Sequence, residues 1–249
     1  MAVTEIWLVR HGESTANVAA AQADAAGADV IEVEHRDADV PLSLLGERQS
    51  RALGPELAAR GVDDVPVALW VSPYRRAQQT IDLALDAGGL ALPSRRVDER
   101  LRDRELGVLD LLTLAGVRNR YPDEERRRRW LGKYYHRPAG GESWADVLLR
   151  LRSLMVDVDR LDEPERLVIA AHDAVVMLAV AVCLDLDEPA LTEFAESHTV
   201  QNASLTRLRR DAVGAPWALE EFSAVEHLVD DSEAEVTEHS GRKDDVRAV

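Results

Sequence analysis

The chain alternates short apolar runs with longer stretches in which apolar residues recur at helical spacing. Three of the runs are apolar at nearly every position: EIWLV (5–9), VALWVS (67–72) and RLVIAA (166–171). Such runs are typical of central strands that are buried on both faces of a sheet. A fourth run, NASLTRLR (202–209), alternates apolar and polar residues and predicts a strand nearer an edge of the sheet.

Helical stretches separate these strands. The spacing of apolar residues predicts helices over 44–60, 74–87, 142–161 and 174–184. Strands that alternate with helices are typical of a mostly parallel sheet covered by helices on both faces. The sequence therefore predicts an α/β fold with three layers, α/β/α, and a mostly parallel central sheet.

Two segments depart from this alternation. Residues 111–140 are strongly charged with interspersed aromatic residues, and they predict a variable insertion within one domain that spans 1–228. The polar, acidic residues 229–249 predict a disordered tail. The longest apolar run, 167–184, is interrupted by two polar residues, so it predicts a buried strand, a turn and a buried helix rather than a membrane span.

Composition and charge narrow the class of partner. The chain has 249 residues, of which 46% are hydrophobic and 31% are charged, as in soluble globular proteins. Its net charge of −16 argues against binding to nucleic acid or to an anionic membrane, which requires a positive field. The single cysteine, Cys183, excludes an internal disulfide and fits a reducing compartment. Because no signal peptide is apparent at the N-terminus, we expect a cytoplasmic protein.

Polar side chains follow three of the predicted strands. The first strand ends in Arg10-His11-Gly12, the second runs into SPYRRAQQT (72–80), and the third ends in His172-Asp173. The carboxyl ends of parallel strands meet at one edge of a sheet, and the helices that follow direct their N–H groups toward that edge. Two histidines and two arginines at this edge predict a site for a phosphoryl group.

The segment LVRHGESTAN (8–17) resembles the signature of the histidine phosphatase superfamily, in its phosphoglycerate mutase-like branch. Further blocks are similar in the same order: DVPLSLLGERQ (39–49), VSPYRRAQQT (71–80), ERLRDRELG (99–107), GGESWADVLLRL (140–151), LVIAAHDAVV (167–176) and NASLTRL (202–208). The resemblance implies an enzyme that hydrolyses a phosphomonoester through a phosphohistidine, with no metal ion and no cofactor.

The resemblance also implies roles for individual residues. His11 would be the nucleophile, which must present an unprotonated ring nitrogen to phosphorus. Arg10 and Arg76 would hold the phosphoryl oxygens in forked geometry and lower the pKa of the histidine by charge repulsion. His172 would donate a further hydrogen bond to these oxygens, and Asn17 matches another phosphate ligand of the family.

Two of these assignments, those of the second arginine and of the general acid, depend on how the sequence aligns with the family pattern. The family pattern Ser-x-x-x-Arg-Ala selects Arg76, and it leaves Arg75 as a solvated neighbour. Gly107 sets the register of the general acid at Asp103, where the family usually has glutamate. Glu105 is the reserve candidate, because residues two apart in an extended segment share a face.

Several other polar residues have less specific expectations. In the 111–140 insertion, Lys133, Tyr134 and Tyr135 are candidates for contact with the substrate. Asp173 is expected to cap the following helix. His198 is expected on a surface loop, with the rim of the site as the alternative. Four further histidines are expected on the surface: His35, His136, His227 and His239.

Two classes of function remain open. The first is an enzyme, either a phosphatase that acts on a phosphorylated small molecule or, as the alternative, a mutase of the phosphoglycerate mutase type. The second is a non-catalytic relative that binds a phosphorylated ligand or a partner. The retained nucleophile, arginines and second histidine favour the enzyme. The sequence leaves the natural substrate and the oligomeric state open.

Overall fold

A computed structural model describes residues 2–229 and 234–238 of the chain. Its central sheet has six strands: β1 (Glu5–Arg10), β2 (Val67–Val71), β3 (Arg96–Val97), β4 (Arg166–Ala171), β5 (Leu205–Arg209) and β6 (Ala218–Ala224). Their order across the sheet is β3-β2-β4-β1-β5-β6. The first four strands run parallel, whereas β5 and β6 are antiparallel to their neighbours.

Helices cover both faces of this sheet. In chain order they are α1 (Thr15–Ala26), α2 (Leu44–Ala59), α3 (Arg75–Gly88), α4 (Leu114–Arg120), α5 (Pro122–Tyr135), α6 (Trp144–Val158), α7 (Asp173–Cys183), α8 (Glu188–Ser197) and α9 (Glu226–Val229). Trp7 and Val9 of β1 pack with α2 and α3, whereas Ile6 and Leu8 pack with α6 and α7. The two cores on opposite faces confirm the predicted three-layer α/β/α fold.

Strand register places the two predicted site histidines side by side. β1 and β4 are neighbours, and Arg10 pairs with Ala171 at their carboxyl ends. The N–H of His11 then donates to the carbonyl of Ala171 at 3.0 Å, which brings His11 next to His172. Parallel pairing of two non-consecutive strands thus creates the edge at which the functional side chains meet.

The loop that follows β1 is short because α1 begins soon after it. Ser14 caps α1: its hydroxyl accepts from the N–H of Asn17, and the Asn17 side chain accepts from the N–H of Ser14. The first turn of α2 presses on the same loop, since a Cβ atom at Gly46 would lie 1.9 Å from the carbonyl oxygen of Glu13. Only glycine therefore allows this close approach of two backbones.

The predicted fourth strand differs from the structure in two respects. It begins at Leu205 rather than at 202, because the N–H of Asn202 donates to the carbonyl of Thr237 and Ala203 has a positive φ of 52°. It also lies inside the sheet, since β6 occupies the edge beyond it. The sequence pattern did not predict β6, whose residues are mostly half-buried or exposed.

The 111–140 insertion folds into α4 and α5. Most of the predicted disordered tail, 229–249, lies outside the described residues. Residues 234–238 depart from that prediction, because Ala234 is fully buried beside Ala203 and Leu228. Among the helices of the described residues, none combines the length and the apolar character needed to cross a membrane.

Candidate active site

His11 presents a ring nitrogen with a free electron pair. The ring is buried, and its Nδ1 lies 2.6 Å from the carbonyl oxygen of Gly12, which can only accept a hydrogen bond. The proton of the neutral ring therefore lies on Nδ1, and Nε2 accepts from Nε of Arg76 at 3.3 Å. Burial, followed by the charges of Arg76, His172 and Arg10, holds the pKa of His11 well below its ordinary value. His11 is thus neutral and nucleophilic at Nε2.

His172 lies against His11 with no exposed surface, and the two ring centroids are 5.1 Å apart. Ser72 accepts from the N–H of Tyr74, so its hydroxyl proton can go to His172 Nε2 at 2.8 Å. That bond places the ring proton of His172 on Nδ1, where it can be donated to a ligand oxygen. Burial, and then the charge of Arg76, lowers the pKa of His172 well below its ordinary value.

Arg76 connects His11 to two carboxylates. Its Nη1 donates to the Asp37 side chain at 2.8 Å, and its Nη2 donates to Oδ2 of Asp103 at 3.0 Å. Burial would lower the pKa of Arg76, but the charges of Asp103 and Asp37 raise it above the ordinary value. Arg76 is 4% exposed, whereas the neighbouring Arg75 is exposed, as the register predicted.

Arg10, which is cationic, and Asn17, which is a neutral amide, also line the site. Arg10 is 1% exposed and donates from Nη1 to the carbonyl of Val200 at 2.5 Å. Burial lowers its pKa, although nearby carboxylates, Asp173 first among them, oppose that shift. The Asn17 side-chain oxygen accepts from the N–H of Ser14 at 3.0 Å, so its amide nitrogen is the donor it can offer to a ligand.

Asp103 and Glu105 both line the site, as their spacing in an extended segment predicts. Ligand atoms of Asp103, His11 and His172 lie within 4.8 Å of one another, and Asp103 Oδ2 is 3.3 Å from His172 Nδ1. Glu105 is exposed and accepts from the Tyr74 hydroxyl at 3.1 Å. The position of Asp103 between the histidines favours it over Glu105 as the proton donor.

These side chains open into a cavity of about 300 Å³. Lys133 also lines this cavity, and its Nζ lies 4.6 Å from the centre of the Trp144 ring. Burial, and then the charge of Arg104, lowers the pKa of Lys133 to about 8. The lining also includes apolar and acidic residues: Ile31, Leu106, Asp110, Leu111, Leu112, Asp173, Met177 and Val200. Lys133 and Arg104 thus add positive charge to the cavity beyond that of Arg10 and Arg76.

Two of the three expected substrate contacts in α5 do not line the cavity. Gly132 has φ 68° and ψ 167°, which breaks the helix immediately before Lys133. The Tyr134 ring packs against the core, and Tyr135 is 56% exposed. Of the three candidates, only Lys133 therefore lies where it could contact a bound substrate.

Two of the histidines away from the sheet edge differ from expectation. His198 does not: it is exposed in the loop after α8 and lines the cavity, where its ring stacks on Phe194 with 4.0 Å between centroids. His136 and His227 are buried, because Glu124 and the carbonyl of Ala203 respectively supply polar partners. His35 is exposed, as expected, and His239 lies outside the described residues.

Three cavity residues make contacts that the sequence did not indicate. Asp173 is the first residue of α7 and not its N-cap, which is His172; its carboxylate accepts from the N–H of Ala174 at 2.7 Å and also lines the cavity. Asp37 reaches Arg76 from a short 3₁₀ helix, and burial raises the pKa of Asp37. Arg104 is held by the carbonyl of Glu142 at 2.8 Å. Asp37 lies outside the quoted sequence blocks, and the block 99–107 assigned no role to Arg104, so sequence reasoning missed both.

Comparison with known proteins places this fold and site in a family. The sequence profile of the histidine phosphatase superfamily, branch 1, matches residues 6–223, and the chain belongs to that family. A fructose-2,6-bisphosphatase of Saccharomyces cerevisiae is 28% identical over 184 residues, which are 74% of this chain and 35% of that protein. A probable phosphoglycerate mutase of Yersinia enterocolitica is 26% identical over 215 residues, 86% of this chain and 87% of that protein.

A solved structure is similar over nearly the whole fold. The mycobacterial glucosyl-3-phosphoglycerate phosphatase in complex with VO3 superposes with a TM-score of 0.68 and 27% sequence identity, over 89% of this chain and all of that one (100%). The chain spans only about a third of the fructose-2,6-bisphosphatase relative, 35% of its length. The profile match thus establishes the family of this chain, whereas the partial overlap with that relative does not establish its particular substrate.

Proposed function

We propose that this protein is a metal-independent phosphatase that hydrolyses a phosphomonoester of a small molecule through a phosphohistidine at His11. The observation that carries the proposal is the environment of His11 Nε2, which is unprotonated, buried and next to the guanidinium of Arg76. A neutral imidazole surrounded by cationic donors both attacks phosphorus and stabilises the charge that develops on its oxygens.

In the first step, His11 Nε2 attacks phosphorus and forms an N–P bond while the bond from phosphorus to the ester oxygen breaks. Asp103, which takes up a proton once the anionic ester is bound beside it, gives that proton to the departing oxygen, which leaves as an alcohol. Arg10, Arg76 and His172 hold the remaining phosphoryl oxygens. Because these side chains belong to different elements of a rigid core, they are oriented before the substrate arrives.

In the second step, water attacks the phosphohistidine. Asp103, now a carboxylate, takes the proton of that water, and the electrons of the N–P bond return to Nε2. Inorganic phosphate leaves, and both His11 and Asp103 regain their starting states.

Lys133 and Arg104 in the cavity lining support a substrate with a second anionic group. Lys133 and Arg104 lie on the wall, and the Trp144 ring beneath Lys133 offers an apolar face. A sugar or short carbon skeleton with a second phosphate or a carboxylate suits such a cavity. The names of the fructose-2,6-bisphosphatase and glucosyl-3-phosphoglycerate phosphatase relatives fit this substrate class.

The mutase alternative draws on the similarity to the probable phosphoglycerate mutase. A mutase must keep water away from the phosphohistidine while the bound product reorients, which requires a closing lid. After residue 209 the chain forms the edge strand β6, α9 packs on α2, and none of the described residues beyond 209 lines the cavity. That arrangement supports hydrolysis.

The setting proposed for this enzyme follows from composition. The strongly negative net charge supports a small-molecule substrate rather than nucleic acid or a membrane surface. The single cysteine supports a cytoplasmic location.

A panel of phosphorylated metabolites tests the proposal. We expect release of inorganic phosphate from p-nitrophenyl phosphate and faster release from an ester that carries a second anionic group. An assay with phosphoglycerate as substrate and bisphosphoglycerate as primer distinguishes the phosphatase from the mutase. Isomerisation that exceeds phosphate release by orders of magnitude would establish the mutase, and no turnover of any ester would favour a non-catalytic protein.

A further inference from the structure

A short segment near the C-terminus returns to the back of the catalytic loop. Within residues 234–238, the hydroxyl of Thr237 lies between two amide side chains. It accepts from Nε2 of Gln49 at 2.9 Å and donates to Oδ1 of Asn202 at 3.2 Å. The backbone of the segment is held as well, since the carbonyl of Glu235 accepts from Gln49 at 2.7 Å. Thr237 thus joins two residues that are far apart in the sequence.

The same two amides hold the backbone on either side of Gly12. Oδ1 of Asn202 faces Thr237, while its Nδ2 donates to the carbonyl of His11 at 3.1 Å. Oε1 of Gln49 accepts from the N–H of Glu13 at 2.8 Å. Both amides have no exposed surface, so water cannot replace a lost partner without a rearrangement.

We propose that Thr237 is a positioning residue for catalysis. Acting through Gln49 and Asn202, it fixes the loop that carries His11, and so it aims Nε2 at the phosphoryl group. The C-terminal segment is then part of the framework of the active site rather than an appendage. The proposal rests on the proposed role of His11 as nucleophile.

The physical argument concerns amide orientation. Without the Thr237 hydroxyl, the buried Oδ1 of Asn202 loses its acceptor bond and Gln49 loses one of its donor bonds. Buried amides that lack partners rotate or admit water, and the carbonyl of His11 and the N–H of Glu13 move with them. Misplacement of a reacting group by about 1 Å costs roughly 100-fold in rate, so a smaller shift of the His11 ring suffices for a measurable loss.

The loss should fall on kcat rather than on KM. Arg76 and Lys133 lie on α3 and α5, whereas the Thr237 hydroxyl bonds to Gln49 of α2 and to Asn202. Binding of the phosphoryl group should therefore persist while attack by His11 slows.

The test compares two substitutions in the full-length protein. Thr237→Val keeps the shape of the side chain without the hydroxyl, whereas Thr237→Ser keeps the hydroxyl. We expect Thr237→Val to lower kcat about tenfold with KM within about twofold of the parent value, and Thr237→Ser to stay within about twofold in both constants. Val236→Ala is the matched control, because the Val236 side chain is 39% exposed in the same segment.

A second measurement separates this inference from the proposed function. Amide hydrogen exchange of the His11–Glu13 loop should be faster in Thr237→Val than in Thr237→Ser, whether or not the protein turns over an ester. Unchanged kcat and unchanged exchange in Thr237→Val would overturn the inference. Equal losses in both Thr237 variants, in parallel with a lower Tm, would also overturn it, because they would indicate a role in stability alone.

Discussion

The Nε–H of Arg76 donates to Nε2 of His11 at 3.3 Å, so the cation proposed to hold the phosphoryl group also contacts the proposed nucleophile. This bond exists only while the imidazole is neutral, since a protonated Nε2 has no electron pair to accept it. Arg76 is itself held by the carboxylates of Asp37 and Asp103. Arg76 therefore adds to the effect of burial in favouring neutral His11, and it links His11 to the proposed proton donor.

The first prediction concerns the nucleophile and its partner. His11→Ala should abolish both turnover and acid-labile phosphoenzyme, because no other nitrogen takes the place of Nε2. His172→Ala should retain phosphoenzyme formation but lower its rate by about 100-fold or more, the usual cost of one donor to a developing oxyanion. Rapid-quench labelling with a ³²P-ester measures both, and labelled His11→Ala would contradict the assignment.

The second prediction uses adjacent arginines. Arg76→Lys removes the forked geometry and the bond to His11, so kcat/KM should fall by about 100-fold. Arg75→Lys is the matched control, because Arg75 is exposed next to it, and it should leave kcat/KM unchanged. Steady-state kinetics with p-nitrophenyl phosphate measure both variants. A greater loss in the Arg75 variant would reverse the register of this block.

The third prediction concerns the proton donor. Asp103→Asn should slow alkyl phosphates far more than aryl phosphates, since only a poor leaving group needs a proton at the moment of departure. Glu105→Gln should affect both classes of ester equally and slightly. The dependence of log kcat/KM on the pKa of the leaving group reports the difference. A steep dependence in the Glu105 variant alone would transfer the role to Glu105.

The fourth prediction concerns pH and the distal cation. With a pKa of about 8, Lys133 is charged below pH 8 and neutral above it. The KM of an ester with a second anionic group should therefore rise as the pH increases through about 8, whereas the KM of p-nitrophenyl phosphate should not follow this transition. Lys133→Arg should remove the transition, because arginine stays charged. An unchanged profile in that variant would exclude Lys133 from substrate binding.

The fifth prediction concerns metal ions. His11, Asp103 and His172 are residue types that ligate metals, and their ligand atoms cluster within 4.8 Å. Arg76 already bonds to two of them, and its positive charge disfavours a divalent ion at the same place. Treatment with EDTA should leave the rate unchanged. A rate lost to EDTA and restored by a divalent ion would require a metal-dependent mechanism.

Much of the site could be predicted because it depends on local patterns. Arg10, His11 and His172 follow apolar strands directly, so a rule about strand ends brings them together. The wholly apolar strands were also predicted within one residue at either end, because burial on both faces leaves a continuous run.

The rest depends on contacts between distant segments. Asp37 reaches the cavity from a short 3₁₀ helix and Arg104 from a loop, and neither shows a side-chain period in the sequence. His136 was expected on the surface, but Glu124 makes its burial favourable by accepting a hydrogen bond at 2.9 Å. Thr237 lay in a segment whose composition indicated disorder, and its order comes from two buried amides elsewhere in the chain.

The pairing of Asp37 with Arg76 has a consequence for the end of the catalytic cycle. Inorganic phosphate must share the Arg76 guanidinium with a carboxylate that is already bonded to it. Repulsion between that carboxylate and the free dianion favours departure of the product. We therefore expect weak product inhibition, so that phosphate already in solution leaves the site open for the next ester.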